Sequence, residues 1–332
     1  METIYISFYR LILLSAILGC SLPLWASTAH FGLELAHAFK PFFLVTACLL
    51  CLTGMLLLFK SKHKRFLTIF TVLSAVISLA LGIEMYTDLK PLEPTRRVVP
   101  QTSCDVKILQ HNVYRHANEW TKVLSLFKST DAQVISLEEV STEFYNQLTS
   151  EPEINTRFPF KAYRKNEELV VLSRFPISKM TFHFLGNRGY YAFTLLETTI
   201  QHRCGDFAFL VFHPPHPTSK LNYIEHRQIY QKASDILSRI KRPLIVTGDF
   251  NSTKFSPQLQ QFVRQNNLIN PQVALHHYFG TWPSSLPPYL RLDIDQLLVS
   301  KGIQAKEIKP LAPTESDHVP LEATILLNTL NK

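Results

Sequence analysis

Hydrophobic and polar positions along this chain follow two different patterns. From Leu11 to about Tyr86 three blocks are apolar on every side, "LILLSAILGCSLPLWAS", "PFFLVTACLLCLTGMLLLF" and "FLTIFTVLSAVISLALGIEMY". Each is near or above the roughly 17 to 20 residues that carry a helix across a bilayer, so the pattern predicts a membrane unit over 1–86 with three transmembrane helices. A cleaved signal peptide is the competing reading of the first block, because "SLPLWASTA" carries small residues of the kind a peptidase cuts beside. After Tyr86 comes "TDLKPLEPTRRVVPQTS", with three prolines and no hydrophobic period. This reads as an extended linker over 87–104.

From Asp105 onward the apolar runs are short and end in polar residues, which marks 105–332 as a separate domain. "DVKILQHNVY" and "AQVISLEEV" predict strands, and between them Trp120, Val123, Leu124 and Phe127 recur at helical spacing. "ELVVLSRFP" predicts a further strand, and "YYAFTLLETTI" with "DFAFLVFHPP" predicts a hairpin around "QHRCG". A helix follows over "YIEHRQIYQKASDILSRIK", with Ile224, Ile229, Ala233, Ile236, Leu237 and Ile240 on one side. The last strands are "PLIVTGDFN", "IDQLLVS" and "PLEATILL". This mixture implies an α/β domain, long enough for one substantial core.

Charge adds an orientation. Arg10 flanks the first block, and Lys60, Lys62, Lys64 and Arg65 crowd the turn between the second and third. Basic turns stay in the cytoplasm, which puts the N-terminus inside, the Ser27 to Lys40 loop outside and the C-terminal domain outside. Arg96 and Arg97 lie on the outer side, against that trend. The expected protein is multi-pass, with its folded domain extracytoplasmic. The net charge of +8 partly reflects the basic turn and linker; it suits any anionic partner, lipid headgroups included, and does not single out nucleic acid. Cys20, Cys48 and Cys51 lie in apolar blocks, whereas Cys104 and Cys204 lie outside them and can bridge in an oxidising compartment. No cysteine spacing suggests zinc.

Candidate chemistry comes from position. Asn112, the pair Glu138 and Glu139, and Asp249 with Asn251 all stand at the C-terminal ends of apolar strands, where open α/β sheets bind ligands. Two later groups, "RLDIDQLLVS" and "TESDHVPL", add carboxylates and a histidine. Carboxylate and amide oxygens without cysteine suit a hard cation, Mg2+ or Mn2+. Histidine beside carboxylate suits charge stabilisation or proton transfer near neutral pH. Together these are the parts of a metal-assisted phosphoester hydrolysis.

Taken singly, none of them decides the matter. Asn112 and "GDFN" also read as turn formers. Glu138 and Glu139 are adjacent and face opposite ways on a strand, so one of them reads as a solvated charge. His111, His202, His276 and His277 read as structural or exposed, and His216 as a loop residue.

In order, the motifs "LQHNV", "SLEEV", "VFHPPHP", "TGDFN" and "IDQLLVS" followed by "SDHVPL" resemble the endonuclease/exonuclease/phosphatase (DNase I-like) superfamily over Asp105 to Leu326. That superfamily includes DNase I, abasic-site endonucleases, inositol polyphosphate phosphatases and neutral sphingomyelinases. The resemblance implies a four-layer α/β sandwich, here preceded by the membrane helices. It also implies Glu139 as principal metal ligand, with Asn112 beside it and Asp317 assisting. Asp249 would orient or deprotonate the attacking water, and Asn251 would hold the same site. His318 would contact the scissile phosphate, fixed by Asp295, while His213 would serve the leaving group or phosphate and Arg188 would bind substrate. Two departures stand out. "RLDIDQLL" offers both Asp293 and Asp295, of which Asp295 has the strand spacing, and His213 is followed by "PPHP" where a longer loop is usual.

Three helices before such a domain resemble bacterial YafD-like and membrane-anchored teicoplanin-resistance proteins. That layout implies a divalent-metal phosphoesterase acting on a phosphorylated envelope lipid or pyrophosphate, with no obligate protein partner. Alternatives are an exported nuclease acting on DNA or RNA, which wants a basic, aromatic groove, and an inactive lipid-binding domain, which should have lost Glu139, Asp249 or His318.

Overall fold

The structure, a computed structural model, describes residues 2–25, 31–60, 62–90, 104–188 and 191–327. Most of the expected linker over 87–104 lies outside them. The chain divides into two compact units, one over Met1–Lys90 with Phe255–Pro257 and one over Pro91–Lys254 with Gln258–Lys332.

Among the described residues of the first unit, two helices are long and apolar enough to cross a membrane, Lys40–Phe59 with 20 residues and Lys64–Asp88 with 25. They present Leu49, Leu52, Leu56, Val72, Val76, Leu79 and Ile83 outward, as a lipid-facing surface requires. Lys40 at the start of one pairs with Glu84 and Asp88 at the end of the other, at 3.1 and 2.6 Å, so the two form an antiparallel hairpin. The first block departs from the expectation of three spans. It is helical over Glu2–Ser21, but among the described residues its apolar helical stretch is the shorter Arg10–Leu24. The expected Ser27 to Lys40 loop contains a short helix, Phe31–Ala38.

The second unit contains β1 (Asp105–Asn112), β2 (Val134–Glu138), β3 (Phe160–Tyr163), β4 (Val170–Ser173), β5 (Ile177–Arg188) and β6 (Tyr191–Ile200). Then follow β7 (Phe207–Phe212), β8 (Leu244–Asp249), β9 (Leu268–Ile269), β10 (Asp295–Ser300), β11 (Ile303–Pro310) and β12 (Leu321–Leu327). They make two sheets of six strands, ordered β11, β12, β1, β2, β4, β3 and β5, β6, β7, β8, β10, β9. Both sheets are mixed: β1 with β2 and β7 with β8 run parallel, and the flanking pairs run antiparallel.

Alternation along the strands builds the layers. Ile108, Val134, Phe209 and Ile245 point into one core shared by the two sheets. Their neighbours Leu109 and Ile135 point the other way, onto Val123, Phe127 and Phe144 of the helices Thr121–Ser129 and Thr142–Thr149. On the far side Leu210 and Val246 pack against Ile229, Tyr230 and Phe262 of the helices Lys220–Leu237 and Pro257–Gln265. Three cores separate four layers: helix, sheet, sheet, helix. Strands covered on both faces need apolar residues at nearly every position, which is why β7 and β8 are buried throughout.

On the helix Lys220–Leu237 the buried stripe is Tyr223, His226, Ile229, Tyr230, Ala233 and Leu237, while Ile224 is exposed. Ser219 caps its start by accepting a hydrogen bond from the Asn222 amide.

Candidate active site

Strand ends from both sheets meet at one edge of the sandwich. Asn112 closes β1, Glu138 closes β2, Asp249 closes β8, His213 follows β7, and Asp295 opens β10 opposite Asp249 in the antiparallel register. Asp317 and His318 arrive on the loop before β12. At Gly248 a Cβ would lie 2.3 Å from the Phe212 carbonyl oxygen, so only glycine lets β8 approach β7 this closely at the site.

Two of these residues leave their strands in the left-handed region, Glu139 at φ 58° and Asn251 at φ 49°. Such backbone is uncommon outside glycine. At Glu139 it breaks strand alternation, so the adjacent carboxylates do not part as an extended strand would send them. Glu138 is fully buried and accepts a hydrogen bond from Gln110 Nε2 at 2.8 Å. It is not the solvated charge that alternation implied. Burial pushes its carboxyl well above the usual carboxylate range.

Glu139 Oε1 accepts from Asn112 Nδ2 at 3.2 Å, and Oε2 accepts from the Arg115 backbone amide and guanidinium, each at 3.3 Å. Burial raises its pKa, but His213, Arg115 and Asn112 outweigh it and hold the carboxyl down to about 2. Burial also lowers His213 to about 4. With that imidazole neutral at pH 7, Arg115 and Asn112 carry the effect on Glu139 there.

Both histidines face Asp249. His213 Nε2 lies 3.6 Å from Asp249 Oδ2 and 3.9 Å from Glu139 Oε1, and His318 Nε2 lies 3.6 Å from the same Asp249 oxygen. His318 Nδ1 is 2.8 Å from Asp295 Oδ2. Asp293 points elsewhere, to Lys254 Nζ at 2.8 Å in a buried pair. Burial opposes charge on His318, but Asp295, Asp249 and Asp317 together raise it to about 10, so it is an imidazolium at neutral pH. Burial raises Asp249 to about 7, against the pull of His318.

The remaining residues expected in the site are placed as follows. Asn112 turns its amide nitrogen to the carboxylates, 3.2 Å from Asp249 Oδ2, and its oxygen accepts from the Tyr114 amide. Asn251 accepts nothing from the cluster; its amide donates to the Pro214 carbonyl at 3.0 Å, and its backbone N–H donates to Asp249 Oδ1 at 2.9 Å. Asp317 accepts from Trp282 Nε1 at 2.9 Å and lies 4.0 Å from His318 Nε2. Arg188 is the last residue of β5, and its side chain lies outside the described part of the structure.

Sequence reasoning missed four supports. Gln110 Nε2 donates at 2.8 Å to both Glu138 and Asp295 Oδ1. Arg115 joins Glu139 to Glu168, and Trp282 holds Asp317. His226 is buried between the Pro215 carbonyl at 2.7 Å and the Ser252 hydroxyl at 3.1 Å. Because a carbonyl only accepts, Nδ1 carries the proton and Nε2 accepts from Ser252. The loop after His213 is thereby fixed to the turn that carries Asn251. Only Gln110, which stands inside "LQHNV", had any signal in the sequence.

Among the described residues no three His, Cys, Asp or Glu side chains form a ready-made metal cage. The donors present are hard oxygens: the Glu139 carboxylate, and Asp317, whose Oδ1 is buried without a hydrogen-bond partner. Magnesium needs no cage, since it binds through one or two carboxylates and keeps several waters. The residues present fit it.

The family model described as Endonuclease/Exonuclease/phosphatase family matches residues 109–318. No curated protein matches the chain. Among solved structures, an endonuclease/exonuclease/phosphatase from Beutenbergia cavernae is similar at 15% identity and a TM-score of 0.56, covering 68% of this chain and 72% of that one. TDP2 of D. rerio, complexed with a single strand DNA product, is similar at 12% identity and 0.57, covering 68% and 99%. The beta toxin of Staphylococcus aureus, as a mutant with bound magnesium ions, is similar at 14% identity and 0.51, covering 66% and 99%. At such identities these likenesses establish the sandwich fold.

Proposed function

This chain belongs to the endonuclease/exonuclease/phosphatase family and is a hydrolase of phosphoester bonds, and from that premise we propose that it is a membrane-anchored, magnesium-dependent phosphoesterase acting outside the cytoplasm on a phosphorylated envelope lipid or lipid pyrophosphate. One observation carries the catalytic reading: Glu139, His213, Asp249 and His318 form a chain of contacts, each within 4 Å of the next, where strand ends of both sheets meet.

In this reading Glu139 and Asp317 hold the cation, with Asn112 bracing Glu139. Bound there, magnesium or manganese would neutralise phosphoryl oxygens and polarise the phosphorus. The residues of the chain do the rest. Asp249, raised to about 7, accepts the proton of the attacking water near neutral pH. The His318 imidazolium, steadied by Asp295, donates to a phosphoryl oxygen as charge builds. His213, neutral at pH 7, offers a hydrogen bond from the side of Glu139. Asn251 keeps the Asp249 turn and the Pro214 carbonyl in register. Arg188 remains a proposed substrate contact.

The two apolar helices support the membrane part. With the basic turn Lys60 to Arg65 in the cytoplasm, both ends of the hairpin emerge outside, whatever the first helix does. The bond between Cys104 and Cys204 supports the same side, because disulfides persist in oxidising compartments.

The test uses the full chain in proteoliposomes with magnesium, offered a polyprenyl pyrophosphate, a sphingomyelin-type lipid and duplex DNA. Phosphate release from a lipid substrate, abolished by His318→Ala, is the expected result. Turnover of DNA alone, or activity unchanged in the variant, would overturn it.

A further inference from the structure

The candidate site is assembled from two different sheets. Asn112 and Glu138 lie opposite each other at the ends of β1 and β2, with Glu139 next in sequence, while Asp249 and Asp295 lie opposite each other in the second sheet. The first half carries Glu139, proposed to hold the cation. The second carries Asp249, proposed to take the water proton, and Asp295, the partner of His318. The spacing between the halves therefore decides where a phosphate held by the first meets the groups of the second.

Two carboxamides on one face of β1 span the gap. Gln110 and Asn112 are two residues apart on a strand and so point the same way. Asn112 Nδ2 lies 3.2 Å from Glu139 Oε1 and 3.2 Å from Asp249 Oδ2. One layer deeper, Gln110 Nε2 lies 2.8 Å from Glu138 Oε2 and 2.8 Å from Asp295 Oδ1. Each amino group thus divides its two N–H bonds between a carboxyl group at the end of β2 and one of the other sheet. Turned over, the Gln110 amide would set its oxygen against the Asp295 carboxylate, so its neighbours fix which way it faces.

Gln110 is fully buried, and its Oε1 has no hydrogen-bond partner among the described residues. An unmet buried oxygen is costly, so the amino group is what this position gains from glutamine. The layer beneath consists of Ile108, Val134, Phe209 and Ile245, whose attraction has no preferred direction. Hydrogen bonds have one, and the amide fixes a register that apolar packing leaves loose.

We propose that Gln110 is a positioning residue that ties Asp295, and with it His318, to the end of β2 that delivers Glu139. It lies a layer beneath the residues proposed to meet substrate and cation, and acts through them. The inference rests on the phosphoesterase reading and adds to it how the two halves keep their distance.

The test uses the full chain in detergent micelles with magnesium. The Nδ1 proton of His318, bonded to Asp295, gives a proton resonance far downfield, assigned by its loss in His318→Ala. Gln110→Met keeps the length of the side chain and removes the donor. Its kcat on bis-para-nitrophenyl phosphate should fall roughly 10- to 100-fold with KM nearly constant, and the resonance should shift or broaden. Glu138→Met cuts the tether at its other end, leaves Gln110 on Asp295, and should change both readouts in the same direction; it replaces Gln110→Met if that variant does not fold. Glu138→Gln, which keeps an accepting oxygen, should restore what Glu138→Met loses. A residue that only supports the fold would lower the melting temperature while the resonance of the folded chain stays in place. A kcat within about threefold of the parent, or an unmoved resonance, overturns the tether. A parent inert on this probe and on the lipids and DNA above overturns the phosphoesterase reading, and the resonance then decides the tether by itself.

Discussion

His318 Nδ1 and Asp295 Oδ2 are 2.8 Å apart in a buried dyad, while Asp293, two residues earlier, is 2.8 Å from Lys254 Nζ. The two aspartates of "RLDIDQLL" therefore do different work. Asp295→Asn keeps the shape but removes the charge that sustains the imidazolium, and kcat should fall roughly 10²- to 10⁴-fold. Asp293→Asn should leave kcat within a few-fold of the parent but remove the carboxylate that pairs with buried Lys254, at a cost of up to about 3–5 kcal/mol in stability. Steady-state kinetics beside urea unfolding separates the two. An Asp293 variant that is stable yet inactive would exchange the roles.

The adjacent glutamates divide in the same way. Glu138 is buried, which pushes its carboxyl well above the usual carboxylate range and disfavours its charge, so Glu138→Gln, which keeps the shape, should retain most activity. Glu139→Gln removes the anionic oxygen donor and should raise the magnesium concentration for half-activation at least tenfold, with chelator abolishing turnover in the parent. Magnesium titration of both variants is the check. Loss of activity in Glu138→Gln with normal magnesium dependence would show that its charge is used.

Much of this was legible in the sequence because layered packing leaves a plain trace. The doubly buried β1, β2, β7 and β8 read as continuous apolar runs, and the residues at their ends read as a cluster. What was not legible depends on contacts distant in sequence. Strand β5 carries Lys179, His183 and Asn187 among its apolar residues and bends at register shifts near Ile177 and Phe184, so its alternation is blurred. Strands β3 and β11 are held by pairing at the sheet edges and carry little pattern of their own. The side of Glu138 was misjudged because the positive φ of Glu139 cancels strand alternation.

The Cys104–Cys204 bond closes a loop of sequence separation 100. Restricting so long a loop in the unfolded chain stabilises the fold by about 4.7 kcal/mol in the chain-entropy account. Reduction, or Cys104→Ser with Cys204→Ser, should lower the melting temperature of the domain by roughly 10 °C, measured by near-ultraviolet circular dichroism with and without reductant. Insensitivity to reductant, together with two free thiols by mass spectrometry, would remove the bond and its support for an oxidising compartment.

His226 sets a pH dependence of stability whose sign follows from its surroundings. Burial lowers its pKa from 6.5 to about 4, because the folded chain encloses the imidazole between the Pro215 carbonyl and Ser252 with no carboxylate in hydrogen-bond contact. Between those values the unfolded chain binds a proton that the folded chain refuses. The stabilisation is therefore complete above pH 6.5 and falls as pH drops toward 4, by about 3 kcal/mol in all. His213 and His111, lowered to about 4 and about 3 by burial, add slope of the same sign. His226→Asn keeps an N–H for the Pro215 carbonyl and has nothing to titrate, so its unfolding free energy should decline less steeply over this range, by up to about 1.4 kcal/mol per pH unit. Urea unfolding followed by Trp120 and Trp282 fluorescence at successive pH values measures that slope, and identical slopes in parent and variant would mean that His226 accepts a proton in the folded state.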